Sequence, residues 1–591
     1  MINEELLSTI RQHFASGPSI NQTDKIMDLP EAIRRYIAPG QVIFLGEFAN
    51  EAARQMARLF KGTNAGFTIV NSARDYLAPM VYDGLVKKLI GVAYMHLYPK
   101  SGPNRVIQSA FNEGRIEIEG WTSLTLMQRL MAGAMDMECM VTKSLIGSDM
   151  AVDNKDALHL FDSPFKTRQE LALLESLNPD MAVVHGWMAD ASGNIILGSP
   201  YYMGASTWGA RASKGGVIAT VEKIVSMDFI RKHSALVSIP GHLVKSVSEV
   251  PFGAHPQGMN SLGLGIDGLT SYRPDNDFIG AYRDTVSDVA KLKAWMEEWI
   301  YQCPNHEGYL SKLGKTRLHD LSAGIGQGEG IANLEELLST VSLSPDFSKN
   351  ELTIVAAARK IEEIVLEKKY INFLLGVGFS ALSGWLAYYG LKKKDWPVKL
   401  LIGTGVYGYS PQPGNPTIGA TANIETGEML SDAFQSYGSL VGGLNNQCLS
   451  VLGAAQVDKY GNINSSKIDN KFIAGSGGAN DSISAREVMV ISRQSAKRFV
   501  DRVEYITSPG NRVKTIVSDL GVFEKKGEDK EMTLTGLHFD AKNTPLEKRI
   551  QAVKDNCGWE LKVASDLKIM DSPQVEELAL VRCFDPDRLY R

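Results

Sequence analysis

Two short blocks of this 591-residue chain carry residue types that could do chemistry through the backbone. Gly475-Ser476-Gly477-Gly478-Ala479-Asn480-Asp481 puts three glycines in four positions ahead of the helix-permissive run 482–488. Such a loop lets amide N–H groups approach a ligand oxygen closely, and a helix start behind it favours an anion. Just upstream, Asp458-Lys459-Tyr460-Gly461-Asn462 reads as a tight turn between two strands, with a side-chain acceptor followed by a residue free to take positive φ. A glycine-rich loop alone is as readily a turn as a site. A second copy makes it more informative. In the first half Val183-Val184-His185 leads into Asp190-Ala191-Ser192-Gly193-Asn194, and Ala212-Ser213-Lys214-Gly215-Gly216 precedes the apolar Val217-Ile218-Ala219. An offset of about half the chain is too long for a solenoid and implies two similar domains facing each other. Asp190 and Asp458 are read as turn formers rather than acids.

The elements that must carry these loops alternate between strand and helix, which predicts an α/β fold with largely parallel sheets in two domains related by internal duplication. Residues 1–25 read as an N-terminal extension, 26–323 as the first domain, 324–350 as a linker rich in Gly, Ser, Pro and Asp, and 351–591 as the second domain. Residues 41–45 form a buried strand ending in Gly46-Glu47-Phe48, with a helix from residue 50 to 60. Thr122-Ser123 caps a helix running to Gly133 whose Met127, Leu130 and Met131 sit at helical spacing. A helix is also expected over 285–301. The stretch 371–390 has no charged residue and is long enough to span a bilayer, but its Gly376-Val377-Gly378 break suits a buried strand turning into a helix.

The totals narrow the function classes. A net charge of −5 and a pI near 6.1 leave no electrostatic footprint for nucleic acid or an anionic membrane. The five cysteines are scattered with no C-x-x-C spacing, against a disulfide framework or a zinc site, and no metal-ligand spacing occurs elsewhere. With no secretory signal visible, a cytoplasmic protein is expected.

These blocks, taken together, resemble the family I CoA-transferases of the glutaconate CoA-transferase type, with the two subunits fused end to end. The resemblance rests on Val183-Val184-His185, Ile239-Pro240-Gly241, Gly253-Ala254-His255-Pro256, Asp275-Asn276 and 309–314 in the first half. In the second half it rests on 453–466, 475–480 and Tyr505-Ile506-Thr507-Ser508-Pro509-Gly510. It implies an acyl-CoA substrate, with coenzyme A as part of the substrate and no permanently bound cofactor. It also implies a homodimer or larger assembly.

The family's glutamate nucleophile ends a strand of the second half. Here the matching segment is Leu401-Ile402-Gly403-Thr404-Gly405, so Gly403 stands where that glutamate would be. Glycine cannot form the acyl intermediate that splits the exchange into easier steps. The resemblance therefore narrows to family members that lack the glutamate and hydrolyse cyclic keto acyl-CoA rings in steroid breakdown. Such chemistry needs a base for water and donors for an oxyanion. Glu119 is the first candidate base, equally readable as a solvated acid at a helix start; Glu47 is the second, more simply a surface-turn acid. Gly376, Gly378, Gly405, Gly475, Gly477, Gly478 and Asn480 are the candidate oxyanion and CoA contacts, close strand–helix packing being the alternative for Gly376 and Gly378. His255 is read as a loop histidine braced by Pro256. Two further functions stay open: a CoA-transferase using another carboxylate, such as Glu425 or Glu428, and a non-catalytic acyl-CoA binder.

Overall fold

The computed structural model describes residues 3–15, 24–71, 77–96, 102–198, 204–259, 269, 271–323 and 334–591. Residues 16–23 of the expected extension and 324–333 of the expected linker lie outside this set. Two large sheets organise the chain. The first contains β1 (Val42–Leu45), β2 (Phe67–Asn71), β3 (Val86–Gly91), β4 (Glu117–Gly120), β5 (Met181–Ala189), β6 (Val217–Ile224) and β7 (Val244–Glu249), in the spatial order β7-β6-β5-β1-β2-β3-β4. Every neighbour along that path is parallel. Parallel strands need crossover helices on both faces, which explains why β2 and β5 are buried at every position.

The second sheet has ten strands. Its parallel heart is β8 (Asn372–Leu375), β9 (Lys399–Ile402), β12 (Cys448–Gly453), β13 (Glu487–Ile491) and β14 (Val513–Val517), ordered β14-β13-β12-β8-β9. The hairpin strands β10 (Val406–Tyr409) and β11 (Met429–Leu430) extend it beyond β9. Antiparallel β15 (Gly521–Glu524) and β16 (Thr533–Leu537), then β17 (Lys562–Ile569), extend it beyond β14. The order β14-β13-β12-β8-β9 repeats β7-β6-β5-β1-β2, so the duplication is a topological fact. It extends to single hydrogen bonds. Gly46 N–H donates to Val183 O at 2.9 Å, and Gly376 N–H donates to Val451 O at 2.8 Å, each at the turn after the first strand of its half.

The charge-free stretch 371–390 is β8 followed by the helix Phe379–Lys392, and among the described residues no helix is long and apolar enough to cross a membrane. Two local expectations need correction. The run 482–488 leaves the helix after Ser482: one turn, Ala479–Ser482, precedes β13, whose five residues are all buried in the second sheet. The helix expected over 285–301 is interrupted, with helices Asn276–Thr285 and Val289–Met296 and a π-helical turn Glu297–Tyr301. Asp288 accepts from the amides of Ala290 and Lys291 and restarts the chain there.

The two Asp-Gly-Asn turns are buried hubs. Asp458 accepts from the amides of Tyr460, Asn462 and Val503 and from the Asn462 side chain, whereas Asp190 accepts from the Asn194 amide and side chain. Beside them, Lys25 donates to Gly241 O and Lys525 donates to Gly510 O, two lysines from unrelated parts of the chain serving matching glycines. Stranded donors set the cost of losing an aspartate here. Asp458→Ala is expected to destabilise by about 2–3 kcal/mol and Asp190→Ala by less, seen as unequal drops in the thermal unfolding midpoint.

Candidate active site between the two halves

The glycine-rich loop crosses from the second half into the first. Gly475 forms a β-bridge with Ala93 just beyond β3, Tyr94 N–H donates to Ala474 O at 2.8 Å, and Gly477 N–H donates to Val92 O at 3.1 Å. The loop then reaches the start of helix α1 (Ser123–Ala134), where Ser123 N–H donates to Gly477 O and Leu124 N–H donates to Asp481 Oδ2 at 3.0 Å. Thr122 and Thr125 complete a reciprocal cap on the same turn. Asp481 is thus a carboxyl group at a helix N-terminus, supplied by the other half of the chain.

A cleft of about 620 Å³ opens where the halves meet. Gly475, Ser476, Lys467, Phe472 and Tyr505 line it from the second half, and Lys88, Glu119, Gly120, Phe111 and Met150 from the first. Among its lining charges Glu119 is held by three side-chain partners. Oε1 accepts from Trp121 Nε1 at 2.8 Å and Arg129 Nη1 at 2.7 Å, and Oε2 pairs with Lys88 Nζ at 2.6 Å. The Arg129 guanidinium also lies 4.3 Å above the Trp121 ring, which fixes its plane. Burial works to raise the Glu119 pKa, but Lys88, Arg129 and Trp121 outweigh it and hold the carboxylate below its usual range. Tyr94, buried and without a hydrogen-bond partner for its hydroxyl among the described residues, stands near this charge.

At Gly403, one residue past β9, the space a side chain would take is filled. A carbon added to its α-carbon would lie 1.9 Å from the Tyr437 hydroxyl oxygen, and one added to Gly478 would lie 1.8 Å from the same atom. Tyr437 belongs to the π-helical segment Phe434–Val441, an irregularity that recurs where helices are bent to a task. Burial and then the nearby Asp481 raise its pKa, so it is a phenol at neutral pH. Burial also pushes Asp481 up to about 7, against hydrogen bonds from Thr122, the Leu124 amide and Ser144. Asp481 Oδ1 has no partner of ordinary geometry among the described residues, as suits a carboxyl group that keeps its proton.

With this geometry described, the comparisons with known proteins are specific. The coenzyme A transferase family model matches residues 26–250. One of the two subunits of 3-oxoadipate CoA-transferase from Pseudomonas knackmussii is 30% identical over 264 residues, 40% of this chain and 94% of that protein. The chain belongs to the coenzyme A transferase family. The other kind of subunit is matched as well. In glutaconate CoA-transferase from Acidaminococcus fermentans it is 25% identical over 334 residues, 53% of this chain and 99% of that protein. Matches to both kinds fit a CoA-transferase chain in which the two are joined. An acyl-CoA transferase from Escherichia coli O157:H7, solved as a thioester complex with CoA, shares the fold. It has a TM-score of 0.64 at 18% identity, covering 94% of this chain and 96% of that one.

For a CoA-transferase fold, several of the expected donors are already engaged. The amide of Gly376 is used on Val451, that of Gly405 on Ile402 O at 2.9 Å, and that of Gly477 on Val92. Asn480 accepts from Leu145 N–H and donates to Thr507 O, so its side chain ties the first half to the second. The Gly378 α-carbon is covered by the Tyr590 ring, and Gly475 and Gly478 approach Val92 O and Tyr437. These glycines allow close packing; of the set, only Gly475 lines the cleft. Glu47 is not a surface acid: it is buried at the end of β1, accepts from the Ser206 hydroxyl and does not line the cleft. Glu428 pairs with Lys399 on the surface and Glu425 is exposed, so neither takes the space beside Gly403. His255 lies in a buried network with Tyr309 and Asp275, where burial lowers its pKa to about 4.

Tyr437, Asp481, Lys88 and Arg129 escape sequence reading, although paired glycines at 403 and 478 are the trace of one bulky neighbour. The Asp481 shift has a testable sign. Its folded pKa of about 7 stands above the ordinary 3.8, so between about pH 4 and 7 the folded state binds the extra proton. Stability from this group therefore falls as pH rises through that window and is level above it. Urea unfolding at a series of pH values should show wild type losing stability relative to Asp481→Asn across pH 4–7 and no further above it.

Proposed function

We propose that this protein hydrolyses an acyl-CoA without forming a glutamyl intermediate on the chain. The observation that supports the reading is the end of β9: Gly403 has no side chain, and the phenol of Tyr437 takes up the room one would need. A phenol whose pKa is raised is a poor acyl acceptor, so the ping-pong route has no nucleophile at that position. Water must then be the attacking group. Glu119 is the carboxylate placed to orient it. A carboxylate offers about four acceptor sites. Trp121, Arg129 and Lys88 take three of Glu119's, which leaves room for one water.

In the version with a cyclic β-keto acyl-CoA, water oxygen bonds to the ring carbonyl carbon and its proton passes to Glu119 while the carbonyl π pair moves to oxygen. Collapse re-forms the carbonyl and breaks the ring C–C bond. Its electron pair goes to the carbon α to the thioester, which takes the proton back from Glu119. The thioester survives, so this version releases no free thiol. Because Glu119 is held ionised by its cations, it needs no deprotonation at neutral pH, while its depressed pKa makes it a weak base whose main contribution is position.

The purified protein, offered a panel of cyclic and dicarboxylic acyl-CoA thioesters in H₂¹⁸O, should place one heavy oxygen in the new carboxylate. Borohydride treatment during turnover should leave no reduced glutamate by mass spectrometry. Glu119→Gln should lower turnover by about 10²–10⁴. A trapped glutamyl species, or CoA exchange onto a free carboxylate with ping-pong kinetics, would instead establish a transferase. Binding without turnover across the panel would leave a carrier.

A further inference from the structure

We propose that the Tyr437 hydroxyl takes the place of the missing nucleophile side chain and donates a hydrogen bond to the carbonyl oxygen of the bound acyl group. This rests on the acyl-CoA reading above and adds a residue to it. The geometry is carried by two glycines. The same phenolic oxygen sits where a side chain on Gly403 and a side chain on Gly478 would begin, and the ring carbon bearing it lies 2.2 and 2.5 Å from those two positions. A polar atom is thus presented at the end of β9, between the strand that in this family carries the chemistry and the loop that joins the halves.

The surroundings hold it there. Ser436, its neighbour in the π-helical segment, donates its hydroxyl to Ile402 O at the end of β9, and Gln435 N–H donates to Asp432 Oδ1 at the start of the segment. The Tyr437 ring packs in one cluster with Leu124 and Met127 of α1 and with Leu374, Leu401 and Val441, so both halves grip it. Fixing the ring this way removes the rotamer freedom that a donor would otherwise lose on binding.

The role is donation, and no covalent bond forms to the phenol. Burial keeps the hydroxyl protonated, and Asp481 beside it is itself raised to about 7, so the negative charge facing an incoming carbonyl dipole is reduced at and below neutral pH. When negative charge develops on that oxygen, the hydrogen bond strengthens and the proton stays on tyrosine. The step leaves the proton count of the water attack unchanged.

The probe is acetyl-dethia-CoA, in which a methylene replaces the thioester sulfur, labelled with ¹³C at the carbonyl and bound to the full chain. At saturating probe the wild-type carbonyl resonance should lie downfield of the free position. In Tyr437→Phe it should return to the free position while affinity for CoA and the melting temperature stay near wild type. Gly403→Ala, whose added methyl displaces the phenol, should lose the shift in the same way. A shifted resonance that persists in both variants, or a wild-type resonance at the free position, overturns the proposal. Borohydride trapping of a glutamyl species in wild type would overturn the hydrolytic reading instead and leave the carbonyl shift to be judged separately.

Discussion

The structure depends on a backbone contact between its two halves. One loop, 474–481, follows a small hairpin of the second half, adds a β-bridge at the end of β3 and ends by capping α1 with Asp481. The polar groups it buries favour finding a partner, since an orphaned amide or carboxyl costs about 1–3 kcal/mol, and only Asp481 Oδ1 is left without one among the described side-chain atoms of the loop. The partners it finds include Val92, Tyr94, Ser123 and Leu124, all in the first half. The cleft lies beside this loop and near the carboxyl end of β3, where open α/β sheets generally place their ligands.

That contact changes the meaning of the glycines. A glycine-rich loop invites reading as a cradle for an anion, yet Gly477 and Asn480 direct their donors to the chain itself. Gly478 and Gly403 are glycines because a tyrosine ring needs their space. At the end of β9 Gly403 carries no side chain, and a phenol from the neighbouring π-helical segment occupies that space.

Charge is distributed unevenly across the site. Glu119 is surrounded by cations and donors and stays ionised, whereas Asp481, more deeply buried and with only neutral donors, is pushed up to about 7. Two carboxyl groups near the start of α1 are thus shifted in opposite directions by their neighbours.

The α/β class and the duplication were legible in the residues, because strand–helix alternation and Asp-x-x-Gly-Asn turns depend on local spacing along the chain. The run after the loop was misread as helix because Ser482–Val488 tolerates either state, and only the parallel register of β13 against β12 selects strand. Glu47 looked like a turn acid because nothing near it in sequence announces that Ser206, 159 residues away, covers it. Tyr437 gave only an indirect signal: its place is defined by Gly403 and Gly478, on either side of it in the sequence, where the space for a side chain is taken by its hydroxyl. What the chain alone determined was how each half is built. Which side chain fills the gap at Gly403, and which carboxyl group keeps its proton, was decided by the packing of one half on the other, because burial and neighbouring charge exist only once the two meet.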